Sequence, residues 1–144
     1  MKSTIAIAAI LVAGGLGYAM WPTVPHTTTT DAAIVMEGGV LANVLLPDTL
    51  SQNAQIGQLA YEAKCAACHG VNAAGQDGVA PPLVHIIYEP SHHGDDSFQR
   101  AAATGVRAHH WPFGDMPPVE SVTRGDVTMV IAYIRELQRA NGIN

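Results

Sequence analysis

The sequence predicts an all-α protein: three helices joined by long irregular segments, behind an N-terminal apolar run that reads as a transmembrane helix. Three observations carry this. Glycine and alanine are plentiful while strand-type runs of Val, Ile and Thr are few, which favours helices and loops over a sheet. Three stretches carry helical periodicity or helix-end residues. The intervals 70–94 and 106–122 have no clear period and hold most of the Gly and Pro of the C-terminal part. A small domain with so much irregular chain needs something besides its side chains to organise it.

The elements follow in order. From Thr4 to Trp21 the run "TIAIAAILVAGGLGYAMW" contains no charge. A bilayer-spanning helix needs roughly 20 apolar residues, with a lower limit of about 17, so this run is near that limit. Lys2 and the amino terminus put positive charge on the cytoplasmic side and the bulk of the chain outside. A secretory signal peptide reads similarly, with Gly17 and Ala19 as small cleavage-site residues. The length of the run and Trp21 as an interfacial residue favour an uncleaved anchor over residues 1–21. Residues 22–52, with Pro22, Pro25, the Thr27–Thr30 tract, Gly38-Gly39 and Pro47, read as a flexible tether. As a coil it spans roughly 30 Å on average and about 100 Å at full stretch. Its apolar part, Val40 to Pro47, can dock or form a short turn.

Residues 53–144 form the compact domain. Its first helix is expected from about Asn53 to Ala67, with Ile56, Leu59, Ala60 and Ala63 at helical spacing. The second starts near Asp95-Asp96, acids suited to a helix N-terminus, and ends at Gly105. The third is capped by Thr123 with Asp126 three residues on. It carries the stripe Val127, Val130, Ile131, Ile134 and Leu137, places Arg135 and Arg139 towards its C-terminal end, and has Gly142 just beyond. The net charge is −5 and only seven Lys and Arg are present. That excludes the basic surface that nucleic acid requires.

The chemistry is concentrated in "YEAKCAACHGVNAAG", residues 61–75, which holds the only two cysteines, Cys65 and Cys68, followed by His69. A structural zinc site commonly uses two such pairs, and there is no second cysteine pair. A thioredoxin-like redox pair belongs in a βαβ context that is not present here. Covalent haem attachment is the remaining reading, and CxxCH is its signature. Two thioethers reach the vinyl-derived carbons on one porphyrin edge, and the adjacent His falls beneath the iron as an axial nitrogen. The cofactor is therefore one haem c. For the opposite axial position the sequence offers Met116 in the turn Gly114-Asp115-Met116-Pro117-Pro118, where proline-fixed φ angles cut the entropy of holding the sulfur in place. His85, His92, His93, His109 and His110 are competitors, with His109-His110 the serious pair because it precedes Met116 on the same loop.

Taken together, these residues resemble the class I c-type cytochromes, small monohaem electron carriers, over about residues 53–142. Gly57 and Tyr61 before Cys65 resemble the family's first helix, where the Gly permits close crossing of the last helix. Cys65-Ala66-Ala67-Cys68-His69-Gly70 is the attachment motif. Pro81-Pro82-Leu83 resembles the family's Pro-x-Leu, which implies that the Pro81 carbonyl accepts a hydrogen bond from His69. Met116-Pro117-Pro118 resembles the distal loop, and Tyr133-Ile134-x-x-Leu137 the terminal helix. The approach "RAHHWPFGDMPP" is richer in His and aromatics than usual. Within it, Arg107 and Trp111 are candidates to pair with a haem propionate, against plainer readings as a solvated charge and a core aromatic. The resemblance implies a small cytochrome c fold wrapped around the haem, and a one-electron carrier rather than an enzyme. Implied partners are a quinol-oxidising complex, a terminal oxidase or a periplasmic reductase or dehydrogenase. With the anchor, this places the protein on the bacterial inner membrane with the haem domain in the periplasm. Alternatives are a haem subunit of a larger periplasmic oxidoreductase, a gas-binding haem protein, and a copper-associated one using the paired histidines.

Overall fold

The computed structural model describes residues 39–144, and four α-helices form among these described residues. They are α1 (Gln52–Lys64), α2 (Ala66–His69), α3 (Asp95–Thr104) and α4 (Arg124–Ala140), with 3₁₀ turns at Val71–Ala73 and Ile86–Tyr88. No strand forms among the described residues; there are two isolated antiparallel bridges, Gln76 with Ala80 and Val106 with Met116. The anchor expected over residues 1–21 lies outside the described residues, as does the expected tether up to residue 38. No helix among the described residues is long and apolar enough to cross a membrane.

The Ser51 hydroxyl caps α1 by accepting the Ala54 N–H at 3.3 Å. The single helix expected to run to Ala67 breaks at Cys65. The Cys65 carbonyl there accepts from both Cys68 N and His69 N, which starts the new turn that is α2. The buried face of α1 also differs from the apolar spacing. Ala54, Gly57 and Tyr61 are buried, whereas Ile56 is 49% and Leu59 69% exposed. The reason is steric. α1 packs chiefly against α4, and a Cβ on Gly57 would overlap the Met129 carbonyl. At Gly57 the backbones approach too closely for a side chain between them, so the face carrying Ala54 and Gly57 turns inward and Tyr61 goes with it.

In α4, Thr123 and Asp126 form a reciprocal capping box, and the stripe Val127, Val130, Ile131, Ile134 and Leu137 is buried. Tyr61 and Tyr133 meet across the α1–α4 contact with ring centroids 5.6 Å apart. Helix α3 starts on Asp95 and Asp96 and stops at Gly105, whose φ of +76° lies in the left-handed region. A Cβ there would collide with the Met116 carbonyl, so Gly105 lets the later loop fold back onto the end of α3.

Residues 39–51, the expected end of the tether, lie along the domain. Leu41 and Ala42 both donate to the Ala74 carbonyl, at 3.2 and 2.9 Å. Leu45 and Asn141 clamp each other, with Leu45 N donating to Asn141 Oδ1 at 2.9 Å and Asn141 Nδ2 donating to the Leu45 carbonyl at 2.8 Å. Val44 and Leu50 pack against the core. Apolar side chains in an otherwise tether-like composition are sufficient to dock when a helix end offers free polar partners.

Gly57→Ala should destabilise the domain by about 2 kcal/mol through overpacking at the crossing, read as an earlier urea midpoint. The Asp126 carboxyl is held below its usual range by the Thr123 backbone N–H first and the Thr123 hydroxyl second. A depressed carboxyl contributes stability above its unfolded pKa and loses it as pH falls through the folded value. Urea unfolding at about pH 6 and about pH 3 should therefore show a smaller acid loss in Asp126→Asn than in wild type.

Candidate functional site

A cavity of about 810 Å³ opens between the helices, within the range of small-molecule and cofactor sites. Its wall includes Cys65, Cys68 and His69 from the α1–α2 junction, Pro81, Phe98 from α3, Met116, and Val127, Val130 and Ile134 from α4. It also includes Arg107 and Trp111, so all seven residues singled out from the sequence meet at one site.

The motif turn is tightly held. The Tyr61 hydroxyl donates to the Gly70 carbonyl at 2.8 Å. Gln76 Nε2 donates to the carbonyls of Ala66 and Ala67 at 3.3 and 3.0 Å, the first of which also accepts the Gly70 N–H at 2.9 Å. Cys65 is half-buried and Cys68 exposed, and neither is in a disulfide. Burial, then the neighbouring Cys68, pushes the Cys65 thiol up to about 11. A redox dithiol needs a thiolate at low pKa, so this environment does not suit a dithiol switch.

His69 is buried, with Nδ1 2.9 Å from the Pro81 carbonyl. A carbonyl only accepts, so Nδ1 carries the proton and Nε2 keeps the free lone pair. Burial pushes the His69 pKa down, partly opposed by the Pro81 hydrogen bond. The ring is thus neutral, as a metal ligand must be. Met116 is held by the paired bonds of its bridge with Val106, each 2.9 Å, and is followed by two prolines. Asp115 Oδ1 accepts the Ala108 N–H at 2.8 Å and closes the loop between them.

The Trp111 ring sits edge-on to His85 at 5.2 Å and stacks on Phe113 at 5.8 Å. Its Nε1 is buried without a hydrogen-bond partner. It lies near enough to the Tyr88 hydroxyl to counter part of the upward shift that burial gives that phenol, but not in hydrogen-bond geometry. Arg107 is exposed and its guanidinium has no hydrogen bond or ion pair among the described residues. Of the competing histidines, His93, His109 and His110 also line the cavity. His85 instead caps the 3₁₀ turn, its Nδ1 accepting the Ile87 N–H at 3.2 Å.

The family model described as Cytochrome c matches residues 54–138, more than half of the chain. The chain belongs to the cytochrome c family. No curated protein matches the sequence. This cytochrome carries a covalent c-type haem, with Cys65 and Cys68 in the attachment spacing, and is a haem electron carrier. Its residues fit that group: the cavity brings together both thiols, a neutral imidazole with a free lone pair, an apolar helix wall and an orphaned buried donor at Trp111.

Sequence reasoning missed what braces the cavity rim. Arg135, expected as a helix-end charge, is buried. Its guanidinium donates to Asp95 Oδ1 at 3.0 Å, to the Tyr88 carbonyl at 2.7 Å, to Gln138 Oε1 at 2.6 Å and to the His93 carbonyl at 2.6 Å. It also lies over the Phe98 ring, 5.0 Å from its centroid. Gln138 adds bonds to the carbonyls of Leu83 and Tyr88 at 2.9 and 3.0 Å. The only sequence trace was two long polar residues, at 135 and 138, interrupting the apolar side of the last helix. Arg135→Lys should cost about 2–3 kcal/mol in denaturant unfolding, because one ammonium cannot replace a planar fork that reaches four acceptors.

Proposed function

We propose that this cytochrome is a one-electron carrier with His69 Nε2 and the Met116 sulfur as axial ligands, working in a membrane-linked redox chain. The observation that carries the reading is the His69–Pro81 contact at 2.9 Å, which leaves Nε2 as the only free nitrogen of a buried neutral ring. When bound, the haem supplies a ferric/ferrous couple whose potential is raised by His/Met ligation. Pro81 fixes the tautomer and ring plane of His69 and raises its basicity. The Val106 bridge and the two prolines hold the sulfur of Met116 at low entropic cost. Two strong axial ligands leave no open position for a substrate, which argues for electron exchange. Trp111 Nε1 and Arg107, which is unpaired among the described residues, are donors suited to the haem propionates.

The uncharged run Thr4–Trp21, with Lys2 before it, supports an anchor in the bacterial inner membrane and a periplasmic haem domain. Such a leash raises the effective concentration near partners in the same membrane. These partners are a quinol-oxidising complex, a terminal oxidase or a periplasmic reductase. Cys68 is exposed, so one attachment point lies where a partner can approach.

The ferric holoprotein should be low-spin with the weak far-red sulfur-to-iron band. Met116→Ala should lose that band completely and lower the midpoint potential. An unchanged band in the variant would overturn the Met116 assignment.

A further inference from the structure

Four histidines on two separate loops come together at the cavity rim. Ring centroids lie 4.6 Å apart for His92 and His93, 5.4 Å for His92 and His110, 5.3 Å for His93 and His110, and 4.2 Å for His109 and His110. We propose that His92, His93 and His110 form a second metal site, distinct from the haem iron, that takes one divalent transition-metal ion with copper(II) preferred.

The geometry supports ligation. Each of the three residues offers a ring nitrogen, and these nitrogens all lie within 4.8 Å of one another. Metal–imidazole bonds are about 2.0–2.1 Å, so nitrogens sharing an ion sit about 3–4 Å apart. Small side-chain rotations close the difference. The protonation pattern is also suitable. His93 Nδ1 lies 2.6 Å from the Ile87 carbonyl, which can only accept, so the Nε2 lone pair is free. A backbone carbonyl behind the ring is the usual arrangement that orients a ligating histidine. The side chains of His92 and His110 have no hydrogen-bond partner among the described residues, so nothing competes for their nitrogens.

Both loops are held in place independently of any ion. Arg135 donates to the carbonyls of Tyr88 and His93, on either side of the turn that carries His92. The backbone N–H groups of His92 and His93 both bond to the Glu89 carbonyl, at 3.1 and 2.8 Å. On the other side, the Val106–Met116 bridge and the Ala108–Asp115 bond frame the loop that carries His110. His109, with Nδ1 2.8 Å from the Arg107 carbonyl, leans on His110 as a neighbour.

The donor set selects the ion. Three neutral imidazoles with no carboxylate suit copper, zinc or nickel and not magnesium or calcium, and copper(II) stands highest in the affinity order. The cysteines belong to the haem attachment, so a thiolate does not enter the set.

The test uses the haem-loaded protein, titrated with copper(II) chloride and followed by calorimetry and by electron paramagnetic resonance of the copper signal. Wild type should bind one equivalent, with nitrogen hyperfine structure from imidazole. His92→Ala, an exposed position outside the cavity wall, should weaken binding at least about tenfold. His92→Ala/His110→Ala should abolish the stoichiometric site, with the Soret band and far-ultraviolet dichroism reporting that each variant is folded and loaded. The proposal is overturned if wild type binds no stoichiometric copper, or if His92→Ala binds it as wild type does.

Discussion

The contact between Gly57 and the Met129 carbonyl is the constraint on which the rest of the domain depends. Two helix backbones meet there with no side chain between them, and that close approach sets the angle and depth at which α1 lies on α4. Tyr61, one turn further along α1, is thereby carried into the core against Tyr133. Its hydroxyl then reaches the Gly70 carbonyl and secures the far end of the motif turn. The position of Cys65, Cys68 and His69 thus follows from a crossing made two turns earlier. Closing one side of α4 against α1 also leaves Val127, Val130 and Ile134 facing the cavity. The same helix serves both as core and as cofactor wall.

On the other side of the cavity, irregular chain is organised by polar groups as well as by the packing of Pro82, Leu83 and Val84. A buried Arg is costly unless every donor finds a partner, and Arg135 finds four acceptors in a side chain, two loop carbonyls and Gln138. Loops without periodicity have carbonyls that no helix or sheet satisfies. Arg135 and Gln138 supply the donors, and so α4 fixes residues 83–93 with no more regular structure there than the 3₁₀ turn Ile86–Tyr88. The consequence for the site is that His92 and His93 occupy defined positions although they sit on chain with little regular structure.

Several elements could be read locally. Thr123 and Asp126 announce the start of α4 because a capping box involves only residues three apart. The α4 stripe was legible because Val127, Val130, Ile131, Ile134 and Leu137 recur at helical spacing and no competing small-residue face existed. Helix α3 was bracketed by two acids and a glycine, which are signals that act within one turn. The face of α1 was not legible. Ile56 and Leu59 have helical spacing, but what decides burial is how near the partner backbone comes, and a pattern of hydrophobicity does not encode that distance. Nor did the tether-like composition before α1 reveal that Leu45 would meet Asn141, a pairing across nearly the whole domain.

By itself, the sequence determined the chemistry of attachment and the helical class. Two thiols and an imidazole at CxxCH spacing are bound by covalent geometry, and helix caps and stripes by local hydrogen bonding and periodicity. Only the tertiary structure decided which side chains converge. Arg135 reaches the Tyr88 and His93 carbonyls and Asp95 at the start of α3, and His110 reaches His92 and His93, each across a gap in sequence. Such meetings depend on how loops are braced by α4, and therefore on contacts between segments that no local pattern links.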